Sequence, residues 1–231
     1  AVVVASIYAI LVVSIAWVSG WLALLVALGT VLAMRSRRWF VIAAIVAVAA
    51  VLIFNSFFHE NVVVESKEGG DYDRFALMKG GIKYAGHFPL GVGPGNYRTY
   101  NSFYYGEKWG TTSYTSAHGT YAQHLAEMGF PGTVLFVGIL VGGFVWLLRS
   151  YRKMRPGTSK LVVLAVLGQM AGISVAAAVG DYIIPTYHNG GLGTFSATIY
   201  SWLAWGLAIA HVRLDASSCP EDLAMNPGRG S

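Results

Sequence analysis

Residues 130–148, FPGTVLFVGILVGGFVWLL, decide the fold. No charge interrupts them, and as a helix rising ~1.5 Å per residue they reach about 28 Å, close to the thickness of a bilayer's hydrocarbon core. The apolar residues neither alternate with period 2 nor gather on a single stripe, so the segment must meet lipid or other helices all round. Directly after it come Arg149, Arg152, Lys153, Arg155 and Lys160, with no acidic residue among them. Such a cluster marks a cytoplasmic flank under the positive-inside rule.

The same signals recur in both directions from this stretch. Residues 1–34 are almost wholly apolar but would reach roughly 50 Å as one helix, against about 30 Å of hydrocarbon, so the block must break. Ser19-Gly20 is the natural break, giving spans near 1–17 and 20–34. The second ends at another uninterrupted basic cluster, Arg35, Arg37 and Arg38. Further spans are expected near 39–54, 161–180 and 194–212. The predicted fold is all-α, a polytopic transmembrane helix bundle of about six spans. Residues 1–54 supply three helices, 55–127 form one large extracytoplasmic loop, 128–213 supply three more helices, and 214–231 form a polar cytoplasmic tail. If both basic clusters are cytoplasmic, alternation puts 55–127 and the short loop DYIIPTYHNGGLG at 181–193 outside.

Composition narrows the function classes. Of 231 residues 55% are hydrophobic and only 12% charged, which disfavours a water-soluble domain. The net charge of +5 brackets apolar blocks instead of lining one face, so nucleic acid is not an expected partner. The single cysteine, Cys219, offers neither a disulfide framework nor a cysteine metal site. The chain opens at Ala1 inside an apolar run with no basic segment before it, a pattern expected for the C-terminal half of a longer protein and not for a signal peptide.

The large loop holds most of the acidic residues and many Tyr and Gly. In DYDRFALMKGGIKYAGHFP, at 71–89, Asp71 or Asp73 can cap a short helix that Gly86 and Pro89 end, with Phe75, Met78 and Ile82 on one face. GVGPGNY follows at 91–97. Asn96 stands where a dinucleotide loop needs Gly and no Lys-Ser/Thr follows, so a tight turn is the better reading, although its N–H groups could meet an anion. A second helix is expected from near Ala117, running to Gly129 and Pro131 at the next span. His118 and His124 are six apart, on different sides of a helix, and fit no metal site. Arg74, Lys79, Lys83 and Arg98 lie close to where spans enter the membrane. They could bind phosphate oxygens there, or merely solvate the loop.

Three stretches taken together resemble the large-loop signature of the bacterial O-antigen ligase and O-antigen polymerase family: Arg74-Phe-Ala-Leu-Met, His87-Phe-Pro-Leu-Gly-Val-Gly-Pro-Gly-Asn-Tyr, and Ala117-His118-Gly-Thr-Tyr-Ala-Gln-His-Leu-Ala-Glu-Met-Gly-Phe-Pro-Gly. The resemblance implies a metal-independent, cofactor-free inverting glycosyltransferase of the bacterial inner membrane, with its loop facing the periplasm. Its donor would be a glycan on undecaprenyl diphosphate. The acceptor would be a hydroxyl of a polysaccharide such as lipopolysaccharide, of lipid A core or of a protein. His118 is then the implied general base and Arg74 the implied diphosphate ligand. Arg98, Lys79 and Lys83 are added from charge and Tyr121 from its place in the signature, as substrate-binding candidates.

The chemistry suits these residue types. An acceptor hydroxyl is a weak nucleophile, and a neutral imidazole, ordinarily titrating near ~6.5, can take its proton. The departing diphosphate gains negative charge that a fixed guanidinium stabilises most in the transition state. The chain departs from the family pattern in reading Trp17-Val18-Ser19-Gly20 where relatives carry Ser-Arg-Gly, and Gly119 where Asn follows the histidine. Two other readings compete, a membrane transporter and a non-catalytic relative that binds glycan lipid. A transporter should place ionisable residues within its spans, whereas the charges here concentrate in the loop.

Overall fold

A computed structural model describes residues 18–53, 74–101, 103, 116–184 and 192–217, and all of the regular structure among them is helical. The helices are α1 (Val18–Arg35), α2 (Arg37–Ile53), α3 (Arg74–His87), α4 (Thr120–Lys153), α5 (Thr158–Ala176) and α6 (Leu192–Ser217). A short helical turn also covers 97–101. The expected span at 1–17, the capping positions Asp71 and Asp73, and the Cys219 tail lie outside the described residues. α4 and α5 are long and apolar enough to cross a membrane, and the apolar helix Ser19–Arg35 is shorter.

α5 is the hub, with α1, α4 and α6 all packed against it and α1 covering the most of its length. α1 runs antiparallel to it, since Ala23 abuts Gly172 while Ala27 and Val31 abut Gly168. Gly168 and Gly172 are spaced as in the small-residue seams that let helix backbones approach closely in membranes. A Cβ built on Gly168 would sit 2.9 Å from the Ala27 carbonyl oxygen, so any larger residue there must push the helices apart.

Packing at the two ends of α5 differs. Around its N-terminus, Leu147, Met154, Val163, Leu167 and Ala208 form a buried cluster, with Met34 of α1 packed against it. This brings Arg35 of α1 and Arg152 and Lys153 of α4 to the same end of the bundle. The C-terminal end sits about 28 Å away by the length of α5, and there the chain turns through 177–180. Outward faces are apolar, with Val134 and Leu135 of α4 each 69% exposed, as a lipid-facing surface requires.

Several local expectations need adjusting. The helix after Ala117 begins at Thr120, and α5 ends at Ala176, short of residue 180. The apolar residues expected on one face of α3 are not buried alike: Met78 packs on a buried cluster and Ile82 is 55% exposed, while Gly81, Tyr84 and Ala85 are buried. The cause is backbone proximity, since a Cβ on Gly81 would lie 3.0 Å from the Ala122 carbonyl oxygen. A face of small residues allows that approach and a large Ile would prevent it.

Candidate functional site

Three separate sequence stretches fold into one body beside the C-terminal end of α5. Tyr84 of α3, Tyr97 after the glycine turn, and Ala117, Ala122 and Ala126 around the start of α4 share one buried cluster, with Met78, Phe88, Val92 and Tyr100 packed on it. The Tyr84 and Tyr97 rings meet edge to face at 5.4 Å. Burial, and after it the nearby Glu127 charge, raise the Tyr97 phenol above its ordinary pKa.

The glycine turn has a structural task. Gly91, Gly93 and Gly95 all take positive φ, the left-handed region that glycine enters without steric penalty. Their neighbours use the backbone to grip α4 at a break. Gly129 lies inside the α4 range with φ 64 and ψ −168, separating 120–128 from the membrane-length portion that follows. The Val92 N–H donates to the Ala126 carbonyl at 3.0 Å, Gly93 N–H to Glu127 at 2.9 Å, and Phe130 N–H returns to the Pro89 carbonyl at 2.9 Å. A Cβ on Gly91 or on Gly129 would collide with the opposite backbone. The N–H groups of Gly91, Val92, Gly93 and Asn96 all donate to carbonyls, so these amides are spent on the fold and do not form the anion cradle that the sequence left open.

His118 sits just before α4, half-buried, with φ 51. That conformation costs a non-glycine residue roughly 1–2 kcal/mol, so the surroundings must impose it. The Ala117 N–H donates to Gln123 Oε1 at 2.8 Å, and Gln123 Nε2 donates to Glu127 Oε1 at 2.6 Å. The His118 N–H donates to Ser116 Oγ at 3.0 Å, and Ser116 Oγ donates to Asp181 Oδ2 at 2.7 Å. Gly119 is closely approached: its Cβ would lie 3.0 Å from the Ala178 carbonyl oxygen and in van der Waals contact with Met78.

The chain after α5 locks the histidine segment to the bundle. Thr120 N–H donates to the Ala177 and Gly180 carbonyls at 2.9 and 3.1 Å, so the first free amide of α4 meets carbonyls at and beyond the end of α5. Thr120 Oγ1 donates to the Gly180 carbonyl at 3.0 Å and accepts from the Tyr182 N–H at 3.1 Å. The Tyr182 hydroxyl shares a hydrogen bond with Ser19 Oγ at the head of α1. Trp202 Nε1 of α6 donates to the Ile183 carbonyl at 2.9 Å. Ser19, at the break expected between the first two spans, is thereby joined to the histidine segment through Tyr182 and Thr120.

The other expected site residues fall as follows. Arg74 opens α3, one helical turn before Met78, which abuts Gly119, and its side chain lies outside the described residues. Lys79, Lys83 and Arg98 are exposed. The Tyr121 hydroxyl donates to the Ser174 carbonyl at 2.8 Å, tying α4 to α5, and the His124 ring lies over Phe136 at 4.6 Å. Sequence reading missed Ser116, Asp181 and Tyr182. The one signal pointing to the last two was an Asp-Tyr pair at the start of the loop 181–193.

The O-antigen ligase family model matches residues 1–137, more than half of the chain and all three signature stretches. The chain belongs to the O-antigen ligase family. No curated protein and no solved structure matches it. O-antigen ligases and polymerases are membrane proteins of glycosyltransferase type, so this chain has a ligase- or polymerase-type role in glycan assembly, with a lipid-linked glycan and an acceptor as partners.

Proposed function

We propose that the protein moves a glycan from an undecaprenyl diphosphate carrier to an acceptor hydroxyl on a polysaccharide, lipid A core or protein, at the outer face of a bacterial inner membrane. The observation that carries this reading is the position of His118, at the rim of the body built from the three signature stretches and at the far end of α5 from both basic clusters. With those clusters cytoplasmic, His118 lies at the opposite membrane surface, at the depth of a lipid diphosphate. The same reading divides the chain into helices at 1–54, an outer loop at 55–127, helices at 128–213 and an inner tail at 214–231, with about six crossings.

In the reaction His118 takes the acceptor O–H proton as that oxygen attacks the anomeric carbon. The new C–O bond forms as the bond from that carbon to the diphosphate oxygen breaks, and the diphosphate leaves with the electron pair. Displacement from the opposite face inverts the centre without a metal or cofactor. Arg74 stabilises the departing charge, where a guanidinium can contact two phosphate oxygens at once. Exposed Lys79, Lys83 and Arg98 raise the local concentration of the anionic donor. Tyr121 contributes at the sugar side through its ring.

The test is transfer of lipid-linked glycan in native membranes. His118→Ala and Arg74→Ala abolish product while the protein accumulates and inserts normally. Unchanged transfer in either variant removes that residue's assignment. Donor retention without turnover in the unmodified protein would favour the binding-only alternative.

A further inference from the structure

We propose that Ser116 and Asp181 are a positioning pair that presents His118 to the reacting hydroxyl, an inference resting on the reading of His118 as the base. Ser116 has one proton and oxygen lone pairs, and it uses both kinds of group here. An ionised carboxylate only accepts hydrogen bonds, so Asp181 Oδ2, at 2.7 Å, fixes the hydroxyl proton of Ser116 towards itself. That orientation turns a lone pair to the His118 N–H at 3.0 Å. Were the hydroxyl to rotate, its proton would face that N–H and the contact would become repulsive.

The consequence falls on the histidine because its backbone is held in the left-handed region, with φ 51. Residues either side of it are fastened independently, Ala117 by Gln123 and Thr120 by the Ala177 and Gly180 carbonyls. The N–H of His118 itself has Ser116 Oγ as its partner. Ser116 is only 2% exposed, so water does not readily replace a lost hydroxyl. Asp181 follows Gly180 directly, so the pair also ties the histidine to the turn that ends α5. Displacing a reacting group by about 1 Å can cost on the order of 100-fold in rate, so a loosened backbone at His118 acts on turnover before it acts on folding.

The pair predicts a split between kinetic constants. In membranes holding the intact protein and supplied with lipid-linked glycan, Ser116→Ala and Asp181→Ala each lower kcat by about 10- to 100-fold, with the donor KM within about twofold. Asp181→Asn still offers a carbonyl oxygen to the Ser116 hydroxyl and retains activity to within a few-fold. Residues acting as one unit are non-additive, so the double variant Ser116→Ala/Asp181→Ala is no slower than the worse single variant. Wild-type kcat in Ser116→Ala, or multiplying losses in the double variant, would overturn the pairing. Equal changes in kcat and KM accompanied by a lower unfolding temperature would reduce it to general scaffolding and also overturn it. His118→Ala run alongside separates the two levels of inference. If it is inactive while Ser116→Ala is normal, only the pairing fails, and if it is fully active, the base assignment fails with it.

Discussion

Both ends of α5 hold a buried apolar cluster, but they differ in the polar connections laid over it. At the N-terminal end, Leu147, Met154, Val163 and Leu167 fill space. The polar ties found there, Lys160 Nζ to the Met154 carbonyl at 2.8 Å and His211 Nδ1 with Ser159 Oγ at 3.0 Å, are separate single bonds beside that core. At the C-terminal end the connections are directional, running from Ser19 through Tyr182 and Thr120 to the histidine segment and from Asp181 through Ser116. Volume packing tolerates substitutions that conserve size. A hydrogen-bonded clamp depends on single atoms, and that is where the proposed chemistry lies.

This contrast can be broken in graded steps. The largest effect is expected from Gly129→Val, which needs a β-branched residue at φ 64 against the Pro89–Gly91 backbone. A loss of more than about 3 kcal/mol and of the glycine-turn docking should appear as rapid proteolysis between α3 and α4. Leu147→Ala, at the volume-packed end, should cost roughly 2–4 kcal/mol, visible in detergent unfolding, with transfer per folded molecule unchanged. Gln123→Ala strands the buried Ala117 N–H at a cost of about 1–3 kcal/mol. It should reduce transfer beyond its effect on the folded fraction, because the histidine segment loosens.

The smallest effect is a change in pH response. Tyr97 has a raised folded pKa, so its neutral form is favoured by folding. That contribution is complete below the unfolded value of about 10 and is lost progressively as pH rises above it. Tyr97→Phe should flatten the alkaline fall of the unfolding midpoint, and an identical fall in the variant would show that another group governs it.

Much of the helical layout was legible because lipid imposes a simple demand: long uncharged runs with basic flanks. Helices occupy most of the segments 20–34, 39–54, 130–148, 161–180 and 194–212, and two of those helices have the length and apolarity to cross. The glycine turn at 91–97 was also legible, since glycines around a proline have few other uses. Its partner was not, because the Gly91–Gly129 contact joins positions with no periodic relation. Ile82 stays exposed although it shares a helical face with Met78, because close backbone approach turns Gly81 and Ala85 inward. The Ser116–Asp181 bond spans 65 residues and leaves no local pattern. His118 and Arg74 could be named from the signature, but the clamp around His118 only from coordinates.

Gly91 and Gly129 face each other with no space for a methyl group on either. Adding one at the first position cannot be compensated by shrinking the second, which is already the smallest residue. The pair therefore has no permissive intermediate, and a lineage drifting by single substitutions would be trapped at both positions at once. Escape would require lengthening or rerouting the turn, so variation in this region should arrive as insertions and deletions instead of residue exchanges.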